Sequence, residues 1–424
     1  MSRTSPHRHL PHTELSRRGL LRTAGGLGAA LALGGGALAT SMATTADAAP
    51  STWTHPGMLH NAGDINRAKV RVAAGTDPWL SGWNKLVANS HSQSTWTNRA
   101  TATIIRGGTG ENYSLLFNDI AAAYQNALRW QVGGTEANAV CAANILNTWS
   151  RTLTSVTGNA DRFLAAGIYG WQFANACELM RGYSGFDLAA AQSMLAKVFY
   201  PLNNSFLTNH NDACITNYWA NWDLCNMASV LAIGILNEDG AKYDQAVTYF
   251  KSGAGNGSLA HAVPYLYTDS AGYALGQWQE SGRDQGHTVM GIGLMATICE
   301  MAWHQGIDLY GHGSNRFLKA AEYVAKYNLG HDVPFTDYTW QSGPSTTAPH
   351  VGWQTHTQVS ESGRGHVRPV WDTVLGHYEG RRGLSAPWVR QMAESVRPEG
   401  GGGDYGTTSG GFDQLGFGTL MYAK

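Results

Sequence analysis

The sequence predicts an all-α protein organised as one domain. Apolar residues recur at helical spacing along most of residues 113–397, and Gly-, Asn- and Pro-rich breaks separate those runs. No strand pattern alternates with them in the βαβ manner, and no exact repeat is present. Many Ala and Gly positions on the helical faces allow close approach, and short turns between successive runs argue for antiparallel helix pairs.

Along the chain, Leu116, Phe117, Ile120, Ala121, Tyr124 and Leu128 mark a helix over 113–131. Gly133 and Gly134 stop it, and Thr135 can cap the next, which carries Ala139, Ala142, Ala143, Leu146 and Trp149. Asp161 opens a third through Phe163, Leu164, Ile168, Trp171 and Cys177. Further helices are expected at about 187–200, 217–237, 241–252, 287–306, 314–328, 371–380 and 386–397. Two long connections, 253–286 and 331–370, break the rhythm, and loops of that length inside a compact domain are usually functional. The glycine-rich end, with Phe412, Leu415, Phe417 and Leu420 as packing residues, is expected to tie the C-terminus down.

Residues 1–48 read as an export signal rather than structure. SRRGLLR (16–22) carries the twin arginines Arg17 and Arg18, a Gly/Ala/Leu-rich stretch follows, and Ala46, Asp47 and Ala48 form a small-x-small cleavage site. The expected product is a secreted chain of residues 49–424, acting as a monomer. No other apolar stretch reaches the ~18 residues needed to cross a bilayer, so no membrane contact is expected after cleavage. The mature chain holds 24 Lys+Arg against 28 Asp+Glu, a net charge near −4. That leaves no broad basic field for nucleic acid, and an anionic ligand must be held by local arginines.

The five cysteines lack C-x-x-C pairing and dense even spacing. Cys141, Cys177 and Cys299 fall in helical apolar patterns and are expected in the core, whereas Cys214 and Cys225 flank a candidate active-site segment, where a disulfide is one option. Fifteen Trp and eighteen Tyr suit a carbohydrate cleft, although packing uses aromatics too. No H-E-x-x-H, calcium-loop or paired-Cys pattern points to a metal, no phosphate-binding glycine loop is present, and no cofactor is expected. His304 and His312 read as surface or packing histidines.

The most informative run is QWQESGRDQGH at 277–287, which crowds Glu280, Arg283, Asp284 and His287 ahead of a long apolar helix, with Trp278 beside them. A structural helix start needs one capping side chain and a polar first turn; here a carboxylate, a guanidinium and an imidazole stand together. A second run, NYWANWD at 217–223, places Asn217, Asn221 and Trp222 at a helix start.

ESGRDQGH (280–287) and YNLGHDVP (327–334) resemble the alginate-lyase-type polysaccharide lyases, as do GRGHVRPVW (363–371), GHY (376–378) and FDQLGFGTL (412–420). The resemblance spans nearly all of residues 49–424. It implies an (α/α) toroid, an incomplete barrel of antiparallel helix pairs, with a groove for an acidic polysaccharide cut by β-elimination. That chemistry needs a group to neutralise the uronate carboxylate, a base for the C5 proton and an acid for the leaving O4; one Tyr can serve both proton steps.

By resemblance His287 is an active-site histidine, acting as base or neutraliser. Glu280 would orient His287 or Arg283, or donate to the substrate carboxylate when protonated; its structural alternative is a first-turn acid favoured by the helix dipole. Arg283 would clamp a uronate carboxylate or pair with Asp284 or Glu280. Asn221 is the expected neutraliser, with Asn217 second, and Trp222 and Trp278 the sugar platforms. The N-N-H triplet of some alginate lyases is missing here. Tyr338 is the expected acid/base, with Tyr378 as rival, and Arg364 or Arg368 would grip a carboxylate or lower the tyrosine's pKa. The expected substrate is a β-1,4-linked uronate polymer, alginate or glucuronan. The alternatives are a glycoside hydrolase, which requires two carboxylates across the bond (Glu280, Asp284 and Asp223 being candidates), and a non-catalytic sugar-binding protein, which has no use for the His/Arg/Glu cluster.

Overall fold

Glycine decides how the central helices meet. In the computed structural model, which describes residues 49–345 and 352–424, a Cβ added at Gly167 would fall 2.4 Å from Cys225 Sγ, and one at Gly170 would fall 2.1 Å from Ser229 Oγ. These two glycines let the helix Asp161–Met180 lie directly on the helix Ala220–Leu236, and the matching order of the contacts makes the two helices parallel. The described residues belong to one compact unit, Asp47–Lys424; the export signal expected over 1–48 lies outside the described residues.

The helices are α1 (Ala62–Ala73), α2 (Trp79–Ala88), α3 (Tyr113–Gly133), α4 (Glu136–Thr152), α5 (Asp161–Met180), α6 (Leu188–Met194), α7 (Tyr200–Asn209) and α8 (Ala220–Leu236). They continue with α9 (Gly240–Ser252), α10 (Leu259–Ala262), α11 (Gln285–His304), α12 (His312–Asn328), α13 (Trp371–Tyr378), α14 (Pro387–Val396) and α15 (Gly418–Tyr422). Contacts pass from α3 to α5, α8, α11, α13 and α15, and return to α3 through α1 and α2. Outside this ring, α4 packs on α3, α9 on α8, and α12 on α11. The inner α5, α8 and α11 are buried on nearly every side, whereas α14 buries only one face. This ring within a ring is an (α/α) toroid. No described helix is long and apolar enough to cross a membrane.

Among the described residues three two-stranded sheets, which periodicity does not forecast, trim the ring. Parallel β1 (Thr103–Ile105) and β2 (Ser155–Thr157) precede α3 and α5 and set their starts side by side. The antiparallel hairpins β3 (Tyr265–Thr268) with β4 (Ala274–Gln277), and β5 (Tyr338–Trp340) with β6 (Gln354–His356), fall in the two long connections. The start of α8 meets the segment leading into α11 through a hydrogen bond from the Asn221 backbone N–H to the Glu280 side chain. The N-terminal ends of α3, α5, α8 and α11 therefore share one mouth, where their unpaired N–H groups and dipoles favour negative charge.

Most helices occupy their expected places, and the departures have local causes. The run expected over 187–200 passes through a π-helical stretch, Leu195–Phe199, and continues as α7 to Asn209. Pro201, in the first turn of α7, has no N–H to give the preceding turn, and the wider π turn absorbs that break. All five cysteines are free thiols, so Cys214 and Cys225 form no disulfide. Cys225 instead fills the space against Gly167.

His304 is neither a surface nor an apolar packing residue. It is buried at the C-terminal end of α11, with Nε2 3.1 Å from Asp64 and 3.4 Å from Glu300. These three side chains have the atoms to hold a metal ion, but Arg67 lies 2.8 Å from Asp64, and Arg381 grips Glu300 at 2.6 and 2.8 Å. The two arginines already neutralise the carboxylates, so the group is an ion-pair network. Arg381→Ala leaves Glu300 buried without its main cation, and a loss of ~3–5 kcal/mol is expected from chemical denaturation. Turnover per folded molecule should not change, because the network lies at the far end of α11 from the mouth.

Candidate active site

The turn between β4 and α11 assembles the site. Arg283 N–H donates to the Glu280 carbonyl at 2.8 Å, and Asp284, in an extended conformation, caps α11 by accepting the His287 N–H at 2.8 Å. A Cβ at Gly282 would stand 2.6 Å from His356 Cβ, so glycine is what lets the β5–β6 hairpin close over this turn.

Asp284 also accepts from His287 Nδ1 at 2.8 Å. Burial alone would raise the Asp284 pKa, but the His287 hydrogen bonds and the nearby Arg283 outweigh it and hold the group down at about 2. An ionised carboxylate only accepts, so His287 carries its proton on Nδ1 and presents Nε2 as an acceptor. Arg283 Nη2 lies 3.3 Å from that Nε2, and the His287 side chain is 41 % exposed, within reach of a ligand.

Glu280 is different. It is fully buried, and both oxygens are committed, Oε1 to Arg283 at 2.8 Å and Oε2 to the Asn221 N–H at 3.1 Å. Burial raises its pKa, and the Arg283 charge opposes that shift. Of the two roles expected for Glu280, orienting Arg283 or donating to a substrate carboxylate, this geometry fits the first, a positioning residue. Its neighbour Gln279 accepts the Ala220 N–H at 3.1 Å. Two consecutive side chains thus cap α8 from outside the helix, which explains why α8 begins at Ala220 and not at residue 217. Asn217 is absorbed elsewhere, its Oδ1 accepting from Gly343 N–H at 2.8 Å.

Asn221 is buried, its Oδ1 has no hydrogen-bond partner, and its side-chain amide makes no described bond to the protein. Buried polar groups are nearly always paired, and an exception at the mouth of a ring calls for a ligand.

The hairpin supplies Tyr338. Its hydroxyl accepts from Gln279 Nε2 at 2.7 Å and donates to Asn256 Oδ1 at 3.3 Å. Burial pushes its pKa up to about 12; the Gln279 bond works against this and Glu280 adds to it. Tyr338, Trp340 and His356 gather around Trp219, with ring centroids 6.4, 5.1 and 5.9 Å away, and Arg283 lies 5.3 Å over the Trp219 ring. His356 is lowered by burial and by Arg283, and its buried Nε2 lacks a partner.

Asn221, Glu280, Arg283, Asp284, His287 and, through Gln279, Tyr338 are therefore brought into one cluster. The others are not. Trp278 is fully buried against Gly291 and offers no face to a sugar. Trp222 turns its ring to Phe206 and Tyr218, at 5.8 and 4.6 Å. Arg364 donates to the carbonyls of Tyr327 and His331, and Arg368 is buried and committed to Asp413 at 2.8 Å, Gly410 at 2.8 Å and Gly286 at 3.2 Å. Tyr378 is core, with its hydroxyl on the Tyr310 carbonyl. Sequence reasoning missed Gln279, Asn256, Trp219 and His356. Gln279 and Trp219 stand inside the two runs already singled out, whereas Asn256 and His356 sit in long connections and are identified only by proximity.

The family described as alginate lyase matches residues 85–333 of this chain. A search by sequence among curated proteins found no match. Among solved structures, the fold is similar to that of an alginate lyase from Bacteroides ovatus, with a TM-score of 0.53 and 12% identity over 80% of this chain and 96% of that one. Alginate lyase A1-III from Sphingomonas species A1 gives a TM-score of 0.53 at 14% identity, covering 85% and 95%. A tetrasaccharide complex of alginate lyase A1-III gives 0.53 at 13% identity, covering 85% and 94%. These likenesses support the toroid, and the family match, which covers more than half of the sequence, gives the class: the chain belongs to the alginate lyase family and is a polysaccharide lyase.

Proposed function

We propose that this protein cleaves a β-1,4-linked uronate polymer, alginate or glucuronan, by β-elimination. The observation that carries the reading is the Asn221 side chain, whose N–H2 makes no described bond to the protein, at a mouth ringed by helix N-termini, with its backbone tied through Glu280 to Arg283 and so to His287. Asn221 and Arg283 receive the uronate carboxylate and the charge that grows on it as the C5–H bond breaks. His287 Nε2 takes the C5 proton, with Asp284 stabilising the imidazolium that forms. The electron pair becomes the C4=C5 bond, the C4–O4 bond breaks, and the Tyr338 hydroxyl, protonated at neutral pH, gives its proton to O4. Trp219 offers the sugar-facing ring expected of Trp222.

A hydrolase needs two carboxylates free to face the bond. Glu280 is buried and doubly committed, and Asp284 is bound to His287. Asp223 is fully buried and accepts from His210, Tyr249 and Gly257. None is free for that role. In the same reading the twin-arginine signal exports the protein, which acts outside the cell as a monomer.

Purified residues 49–424 should be offered polymannuronate, polyguluronate, glucuronan and hyaluronan while ultraviolet absorbance is followed. A rise from the conjugated C4=C5 bond on alginate or glucuronan is expected. New reducing ends without that rise mean hydrolysis and defeat the reading.

A further inference from the structure

Arg106 is a cation that the mechanism above does not use. It follows β1, its N–H donating to the Thr157 carbonyl at 3.0 Å, and Gly107 behind it turns at φ +82. A Cβ at Gly107 would meet Asn159 Oδ1 at 1.9 Å, so the strand pair and this glycine fix where the arginine starts. Its guanidinium lies 5.0 Å from the Tyr113 ring and 5.7 Å from the Tyr169 ring, and its one described side-chain hydrogen bond, to the Tyr169 hydroxyl, is long at 3.3 Å.

Among the described residues no carboxylate stands within 4.0 Å of Arg106, although it is half-buried. The acids that bear on it are Asp413 and Asp161, and Asp413 is already paired with Arg368 at 2.8 Å. A half-buried guanidinium with no carboxylate against it keeps donors available, and its planar fork matches a carboxylate. Its position supplies the anion. Tyr113 opens α3, Tyr169 lies on α5, and the β1–β2 pair that carries Arg106 sets the starts of those two helices side by side. Arg106 therefore borders the same mouth, on the wall formed by α3 and α5, whereas Arg283 and His287 stand at α11.

We propose that Arg106, between Tyr113 and Tyr169, is a second carboxylate subsite that takes a uronate further along the chain from the one held at Asn221. This rests on the reading of the mouth as a uronate groove and names what its other wall recognises. It also gives a reason for preferring polymers charged at successive sugars.

The test compares wild type with R106Q and R106K, both checked for native circular dichroism and thermal midpoint. Steady-state rates on the preferred polymer are combined with calorimetric binding of defined uronate oligomers, free and methyl-esterified. R106Q should raise KM and the oligomer Kd by about 10- to 100-fold, as loss of a charge-assisted hydrogen-bond pair does, with kcat within about twofold. R106K should lie between the two. On esterified oligomers wild type and R106Q should bind alike. An R106Q variant that folds and keeps wild-type KM and Kd overturns this inference while leaving the elimination reading standing. Arg106-dependent binding with no unsaturated product from wild type would instead uphold the subsite and defeat elimination. A wild type that binds no uronate oligomer overturns both.

Discussion

Replacing Tyr338 with phenylalanine should lower kcat by about 10²–10⁴-fold, the usual contribution of a positioned proton donor, with a much smaller change in KM. The hydroxyl is the only group removed, and the ring stays among Trp219, Trp340 and His356. Gln279 and Asn256 each lose one bond, a stability cost of ~1–3 kcal/mol that a thermal midpoint would register. The pH profile separates the two roles open to this tyrosine. Its pKa is pushed up to about 12, so as an acid it stays protonated well above the ordinary tyrosine value of ~10, and no alkaline fall near pH 10 should come from it. Were Tyr338 the base, the ionised form would be needed, and wild-type kcat would climb with pH towards 12. A climbing profile lost in Y338F would move the C5 proton from His287 to Tyr338.

How much of this was legible in the sequence depends on the range over which each feature is fixed. Helix positions follow from local periodicity, and those of α3, α4, α5, α9 and α11 needed nothing more. The N-terminal α1 and α2 went unread, and the short strands also escaped, because three-residue pairings such as Tyr338 with His356 are set by what lies across the gap. The polar run at 277–287 was visible because its cap, turn and cluster are contiguous. Its division of labour was not. The sequence left Glu280 between orienting Arg283 and meeting the substrate, and Arg368 looks like a ligand group there; only the contacts to Asn221, Arg283 and Asp413 show that both are already bound. Trp219 and Trp222 are three residues apart, but α8 begins between them. The first therefore stays at the mouth and the second turns towards Phe206, an outcome decided by caps from Gln279 and Glu280, about sixty positions away.

Asn221→Ala should reduce kcat by about 10²–10³-fold, the cost of removing one preorganised donor from a developing oxyanion, without weakening the fold. Most buried asparagines would not behave this way. Asn126, for example, holds three backbone carbonyls, and truncating it strips them of a partner. The Asn221 side chain makes no described bond to the protein and keeps a buried oxygen unpaired, so alanine removes a liability. The thermal midpoint should stay level or rise as activity collapses, the signature of a group kept for a ligand at the expense of stability. The cap explains why the two effects separate: Glu280 binds the Asn221 backbone N–H, which alanine retains, so α8 keeps its start. His287→Ala should lower kcat by about 10²–10⁴-fold, and since Asp284 still caps α11 through the backbone N–H of residue 287, the helix start survives there too. Near-wild-type rates in both variants, or a large loss of stability in N221A, would mean that the orphaned amide serves the fold and that the carboxylate is received elsewhere.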